Sequence, residues 1–219
     1  CIGITLNAQD TIVAKDVDDQ NAEKMYNEGI TFFDQKLYSS ALAKFDSAII
    51  IKPEFEKAYY NRGIVKYELK NYTGAVSDFD KSIELNPTND KAFFSRGRAA
   101  YLLGNKNAAM EDYSKTITLN TTHAQAYYYR GGINFENKEY QKAIEDFTQA
   151  IAQKSDYAYA YNDRGSAKKM LENYTGAKED YEKAVKINPS LAFVFNNLGS
   201  VKKKLEDYAG ALEDYTTAV

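Results

Sequence analysis

The side chains that most often carry chemistry are scarce, because the chain has one histidine, His123, and one cysteine, Cys1. A single histidine cannot share a metal ion with a second one, and no Cys–His pair is available for nucleophilic catalysis. His123 is typical of a surface or capping residue. Asp16-Val-Asp18 starts like a calcium loop, but Asn21 and Asn27 stand where the glycine and glutamate of that loop belong. We therefore expect no metal and no cofactor.

Acidic residues are plentiful, but they recur at a fixed spacing and do not gather into one site. Glu145-Asp146 and Glu179-Asp180 lie 34 residues apart, which favours a repeated structural role over acid–base catalysis. The balance of 28 Lys+Arg against 31 Asp+Glu leaves no basic excess for nucleic acid, and stacked tyrosines would need a basic groove to bind a single strand. No apolar run approaches the roughly 20 residues that span a bilayer. We expect a protein that is not an enzyme.

Small and aromatic residues recur with a strict period of 34 residues. Each period has a glycine, an alanine twelve residues later and an aromatic residue four further on, and all three prolines share one phase of the period. The glycines are Gly29, Gly63, Gly97, Gly131, Gly165 and Gly199, and the aromatics are Phe45, Phe79, Tyr113, Phe147, Tyr181 and Tyr215. Six matches without an insertion define six repeats.

The residue types at these phases predict a pair of helices in each repeat. Small residues let two helices approach closely, and an aromatic four residues after the alanine lies on the same helical face. Proline cannot lie inside a helix, so its phase marks the junction between repeats. In repeat two, residues 58–69 and 73–85 read as helices on either side of a turn at Lys70-Asn71. A single hairpin cannot bury its apolar faces, so neighbouring hairpins must stack.

This pattern resembles the tetratricopeptide repeat family, whose small, aromatic and proline phases it matches over residues 22–219. Thr121 and Ser155 depart from it by replacing the proline between repeats. The resemblance implies an all-α fold, a right-handed α-solenoid of six helix-turn-helix repeats. Their expected bounds are 22–55, 56–89, 90–123, 124–157, 158–191 and 192–219, the last incomplete.

Two charged phases predict an ion pair between the helices of each hairpin. An arginine precedes the glycine in repeats two to five, and an aspartate follows the arginine by sixteen residues: Arg62 and Asp78, Arg96 and Asp112, Arg130 and Asp146, Arg164 and Asp180. Repeat one has Glu28 and Lys44 there, the same pair with reversed signs. The alternative is unrelated surface charges. An exposed pair contributes only ~0.2–1 kcal/mol, which favours a role in register. Leu198 faces Asp214 in repeat six, so the pair should be missing there.

The resemblance also implies that the first helices line a concave groove that receives a peptide or a partner helix. One lining phase has Tyr26, Tyr60, Phe94, Tyr128, Asn162 and Asn196, the other has Phe33, Tyr67, Tyr101, Phe135, Lys169 and Lys203, and Asn61 adjoins the first. The groove would be aromatic over four repeats, and lined by amides and lysines over two, with Lys168, Lys202 and Lys204 adding positive charge. The aromatics would hold apolar side chains, and the lysines a carboxylate. Alternatively, the aromatics pack between successive first helices and the lysines are merely solvated.

Residues 1–21 do not match the repeat. Residues 1–8 are apolar and end on Ala8, which resembles the tail of a secretory signal peptide. Two alternatives are a lipidated Cys1 and a frayed N-terminus. The first two interpretations place the protein in a bacterial periplasm or cell envelope, and the last leaves it cytoplasmic. Residues 9–21 are polar and acidic, and we interpret them as a linker.

Together these patterns predict a scaffold that binds a peptide or partner protein through the groove. The alternative is a sensory or docking region of a larger regulatory protein, such as a membrane-linked signalling enzyme. The reading frame beyond Val219 would discriminate between the two, because further repeats favour the scaffold and a membrane span followed by an enzymatic domain favours the alternative.

Overall fold

The computed structural model describes the backbone of residues 8–218 and the side chains of residues 16–218. Within that range the chain forms twelve α-helices and no β-strand. The helices are α1 (Ala8–Asp34), α2 (Tyr38–Ile51), α3 (Glu56–Glu68), α4 (Tyr72–Leu85), α5 (Asp90–Leu102), α6 (Lys106–Leu119), α7 (Ala124–Glu136), α8 (Tyr140–Gln153), α9 (Ala158–Met170), α10 (Tyr174–Ile187), α11 (Ala192–Lys204) and α12 (Tyr208–Thr217).

The chain divides into two compact units, Cys1–Asp112 and Tyr113–Val219, with the boundary inside α6. In the first unit α1 pairs with α2 and α3 with α4, while α2 packs on α3 and α4 on α5. In the second unit the pairs are α7 with α8, α9 with α10 and α11 with α12, and α8 packs on α9 and α10 on α11. Consecutive first helices also touch within each unit. The predicted all-α stack of helical hairpins is confirmed.

In five of the repeats, the glycine makes room for the aromatic ring of the same repeat, at Gly29, Gly63, Gly131, Gly165 and Gly199. A Cβ added to Gly63 would lie 2.7 Å from Cε1 of Phe79, and one added to Gly165 would lie 3.0 Å from Cε1 of Tyr181. Carbon atoms pack best at about 3.5–4.0 Å, so a side chain at these glycines would overlap the ring. Both rings are fully buried. The 34-residue period therefore reflects a contact between the backbone of one helix and the ring of its partner.

Two residues after the end of each first helix, a residue with left-handed backbone conformation turns the chain towards the second helix. These residues are Lys36, Lys70, Gly104, Lys138, Glu172 and Glu206, with φ between 58° and 83°. The N–H of Leu37 donates to the carbonyl of Phe32 at 2.8 Å, which closes the helix end as in a Schellman motif. Glycine adopts this conformation without steric cost, and the other five residues do not.

Residues 9–21, which we interpreted as a linker, are helical and belong to α1. The segment has no glycine or proline to interrupt the helix. It is tied to the first hairpin, because Ala22 is fully buried in a cluster with Ala48 and Phe55. Asp19 also lies 2.9 Å from Nζ of Lys52. Residues 1–7, which carry most of the predicted signal-peptide tail, lie outside the described residues.

Candidate functional site

The predicted Arg–Asp partners lie together in repeats two to five. In repeat three, Nε and Nη2 of Arg96 donate to the two carboxylate oxygens of Asp112 at 3.0 and 2.7 Å. The Nη2–Oδ1 distance is 2.5 Å for Arg62 and Asp78, and 2.7 Å for Arg130 with Asp146 and for Arg164 with Asp180. In repeat one, Nζ of Lys44 lies 2.6 Å from Glu28. A charged pair therefore joins the two helices of each of these hairpins.

The aspartates of these pairs are buried, whereas the contribution of ~0.2–1 kcal/mol expected for each ion pair applies to exposed pairs. Asp78 is 2% exposed and Asp146 is 5% exposed, but the side chain of Glu28 in repeat one is 37% exposed. Burial raises the pKa of Asp112, even though the hydrogen bonds from Arg96 lower it. Loss of an arginine would thus leave a carboxylate in a poorly hydrated place, which costs more than loss of an exposed partner.

Each arginine also reaches back to the second helix of the preceding repeat. Nη1 of Arg62 lies 2.7 Å from Asp46, and Nη1 of Arg96 lies 2.7 Å from Asp80. In repeats four and five the corresponding acceptors are hydroxyls, Ser114 for Arg130 and Thr148 for Arg164, both at 3.1 Å. Burial lowers the pKa of Arg62, but its hydrogen bonds with Asp78 and Asp46 outweigh that effect and raise it. One side chain thus links three helices of two repeats.

Repeat six lacks the arginine, as expected, but its aspartate is still paired. Nζ of Lys202, one turn after Leu198, lies 2.8 Å from Oδ2 of Asp214. Lys168 occupies the same phase in repeat five and lies 2.8 Å from Asp180. These lysines therefore point to the hairpin carboxylates, which corrects our placement of them at the positive end of the groove. The lysine phase recurs twelve residues before the aspartate and was readable in the sequence.

The aromatic residues predicted to line the groove in the first unit are also packing residues. We call the surface formed by the two predicted lining phases of the first helices the first-helix face. The rings of Tyr26 and Phe55 are 5.1 Å apart, and those of Tyr67 and Tyr72 are 5.4 Å apart. Most of these side chains are half-buried, namely Tyr26, Phe33, Tyr60, Tyr67 and Tyr101, while Phe94 is 9% exposed. Asn61 donates to the hydroxyl of Tyr26 at 3.0 Å.

In the second unit the predicted lining residues differ in exposure. Tyr128 and Phe135 are half-buried, and the ring of Tyr128 lies 4.8 Å from that of Tyr157. Asn162 is 5% exposed, whereas Asn196 and Lys203 are exposed and Lys169 is half-buried. Asn162 is therefore a buried hydrogen-bonding residue and contributes little surface to a groove.

A chain of hydrogen bonds converges on Asp163, which the sequence analysis did not single out. The Tyr128 hydroxyl donates to Oδ2 of Asp163 at 2.8 Å, and Nδ2 of Asn162 donates to Oδ1 at 2.8 Å. Nδ2 of Asn197 donates in turn to Oδ1 of Asn162 at 2.9 Å. Burial raises the pKa of Asp163 although both hydrogen bonds lower it. The sequence does mark Asp163, because it is the only acidic residue at its position in the 34-residue period, the position that Asn61 occupies in repeat two.

Two exposed aromatic residues are not among the site residues predicted from the sequence. Tyr159 is 47% exposed and Phe193 is 44% exposed, and their rings are stacked 6.3 Å apart. They share a phase with charged or amide residues in the other repeats, Glu23, Lys57, Lys91 and Gln125. The aromatic character of the first-helix face thus continues into repeats five and six, but it moves to a phase three residues earlier.

The described residues include no group of three or more His, Cys, Asp or Glu side chains that could hold a metal ion. His123 caps α7, because its Nδ1 accepts the N–H of Ala126 at 3.2 Å. No helix in the described part of the chain has the length and apolar character to cross a membrane.

Comparison with known proteins agrees with this architecture. Sequence models described as tetratricopeptide repeat match residues 56–89, 90–123, 124–157 and 158–191. The chain therefore belongs to the tetratricopeptide repeat family. Its fold is one that generally serves as a non-enzymatic scaffold for protein interactions. No curated protein matches the sequence.

Several solved structures share the fold. MamA is 28% identical, with 76% of this chain and 91% of MamA covered, at a TM-score of 0.70. YrrB, a TPR protein with an unusual peptide-binding site, is 21% identical, with coverages of 86% and 96% and a TM-score of 0.70. PilF from Pseudomonas aeruginosa is 14% identical, with both coverages 90% and a TM-score of 0.78.

Proposed function

We propose that the protein binds an extended peptide segment of a partner protein on the first-helix face of its second unit. The observation that carries this proposal is the exposed, stacked pair formed by Tyr159 and Phe193. Two neighbouring rings that are each nearly half exposed offer a large apolar contact area at low entropic cost, which is a common property of binding sites. The description of YrrB as having a peptide-binding site supports a ligand of the same class.

Polar residues that follow this pair along the same two helices suit a peptide rather than a purely apolar ligand. Asp163 lies one helical turn after Tyr159, and the exposed Asn196 lies three residues after Phe193. Lys169 and Lys203 lie further along the same two helices. Amide and charged side chains on the helices that carry the rings can give the peptide backbone and its polar side chains hydrogen-bond and charge partners.

The test uses peptides selected from a random library on the immobilised protein. Peptide affinity is then measured by fluorescence anisotropy for the wild-type protein and for the double variant Tyr159→Ser/Phe193→Ser. We expect the double variant to bind at least about tenfold more weakly, since central aromatic contacts commonly contribute more than 1 kcal/mol each. Both side chains are exposed, so helix content measured by circular dichroism should not change.

A matched control is Tyr208→Ser in α12, because Tyr208 is 64% exposed but lies on a second helix. This control should keep peptide affinity within about twofold of wild type. Equal affinities for the wild-type protein and the double variant, or failure to select any peptide, would refute the proposed function.

We further propose that the protein acts in a bacterial cell envelope. The support is the apolar sequence of residues 1–8, which ends on a small residue as signal peptides do. Fractionation of cells that express the full reading frame should recover the protein with the envelope or periplasm. Recovery with the cytoplasm would contradict this proposal.

A further inference from the structure

Asp163 is unusual among the described aspartates that lie inside the hairpins. Asp78, Asp112, Asp146, Asp180 and Asp214 each have an Arg or Lys nitrogen within 2.8 Å. The half-buried Asp163 has only neutral donors, and it takes part in none of the ion pairs found among residues 16–218. A nearby positive charge stabilises the ionised form of a partly dehydrated carboxylate that has no cation of its own.

The donors around Asp163 hold the carboxylate in a fixed orientation. Tyr128 comes from repeat four, Asn162 from repeat five, and Asn197 of repeat six holds the amide of Asn162. A carboxylate has about four acceptor sites, so two donors leave roughly half of them for a ligand. Because three repeats contribute, the carboxylate does not have to be ordered when a ligand binds.

Each exposed ring shares a helix with a member of this hydrogen-bond network. Tyr159 precedes Asp163 by four residues in α9, and Phe193 precedes Asn197 by four residues in α11, so each aromatic shares a helical face with a member of the network. Lysine and arginine combine an aliphatic stem with a charged end, and both associate with aromatic rings. An exposed ring one helical turn before a carboxylate that has no cation therefore suits the aliphatic stem and charged end of such a side chain.

We propose that Asp163 binds the charged end of a Lys or Arg side chain of the peptide, while Tyr159 and Phe193 cover the aliphatic part of that side chain. This inference rests on the proposed function, because it names the chemistry that the first-helix face selects. It makes Asp163 a specificity-determining residue, and the partner segment a basic one at this position.

The structural alternative is that the network only clamps repeats four to six together. Asp163→Asn removes the charge while it keeps nearly the same shape and one acceptor, which can serve Tyr128, although it replaces the oxygen that accepts from Asn162 with a donor. The comparison of two peptides on this one variant then separates the loss of charge from a general loosening of the network. Asp156→Asn is the matched control, since Asp156 is an exposed acid in the turn before α9 and its loss changes the net charge equally.

The experiment is a double-mutant cycle with the peptides selected on the wild-type chain. We expect these peptides to share a Lys or Arg at one position. Replacement of that residue by Gln should weaken binding to the wild-type protein and to Asp156→Asn by about tenfold, but to Asp163→Asn by less than about twofold. Because the cycle compares two peptides on one protein, a general loss of folding weakens both and leaves their ratio informative.

Two results would overturn the inference while the proposed function stands. One is selected peptides that need Tyr159 and Phe193 but have no preference for Lys or Arg. The other is an equal effect of the Gln replacement on the wild-type protein and on Asp163→Asn. If the affinity of the selected peptides is also unchanged by Tyr159→Ser/Phe193→Ser, both the inference and the proposed function are refuted.

Discussion

Two adjacent glycines in α7 should respond in opposite directions to replacement by alanine. A Cβ on Gly131 would lie 2.9 Å from Cε1 of Phe147 and 3.1 Å from Cβ of Asp146, whereas one on Gly132 would meet no atom within 4 Å. In a helix interior alanine is more stable than glycine by ~0.5–1 kcal/mol, so Gly132→Ala should raise the free energy of unfolding by that amount. At Gly131 the same gain is opposed by overlap of the new Cβ with the buried ring of Phe147, and overpacking of this kind typically costs about 1–3 kcal/mol. Gly131→Ala should therefore lower the free energy of unfolding by about 1–2 kcal/mol.

Urea unfolding followed by far-ultraviolet circular dichroism measures both effects, provided that the slope of the transition stays the same. The variant Phe147→Leu supplies a further control, because a smaller side chain relieves the overlap. In that background the cost of Gly131→Ala should shrink, while the gain from Gly132→Ala should persist. If Gly131→Ala stabilised the protein as much as Gly132→Ala, the contact between ring and backbone would not set the spacing of the hairpin.

Three other predictions concern stability. Arg130→Met should lower the free energy of unfolding by about 2 kcal/mol, because it leaves the buried carboxylate of Asp146 without its cation. Lys44→Met, in the more exposed pair of repeat one, should lower it by only ~0.2–1 kcal/mol. Equal losses of the two variants in urea unfolding would contradict the role of burial. Lys138→Gly should raise the melting temperature by relieving the φ of 64°, a gain of up to about 1 kcal/mol, and an unchanged melting temperature would exclude strain at this turn. Burial raises the pKa of Tyr181 to about 12, so above about pH 10 the unfolded chain binds fewer protons than the folded one, and stability should fall until about pH 12. Tyr181→Phe should reduce this fall in unfolding experiments at about pH 9 and 11, and an identical pH dependence in the variant would refute the assignment.

The repeats were predictable because their signals are local. The contact between Gly63 and Phe79 lies inside one hairpin, so the same residue types return every 34 residues. The partner of Asp78 was likewise found by comparing phases within a repeat. We interpreted residues 9–21 as a linker because of their acidic composition. In the structure these residues are helical, and burial of Ala22 and the pairing of Asp19 with Lys52 hold the helix against the first hairpin.

Features that depend on the neighbouring repeat were not predictable in the same way. Arg62 reaches Asp46 in the preceding repeat, and Asn162 is buried where Asn197 of the following repeat donates to it. Which phase faces solvent also changes along the chain, so Tyr159 became exposed at a phase that is charged or amide in the first four repeats. These properties follow from how successive hairpins stack, which one repeat taken alone does not encode.

The residue that precedes each repeat glycine, an arginine in repeats two to five, contacts the preceding repeat through a chemical group that differs along the chain. This contact ends on a carboxylate in repeats two and three, on a hydroxyl in repeats four and five, and in repeat six Leu198 packs into an apolar cluster with residues of repeat five. Mobile ions screen the first kind of link and leave the last almost unaffected. We therefore expect added salt to weaken the contacts between repeats one and two and between repeats two and three, and to have little effect on the apolar contact between repeats five and six.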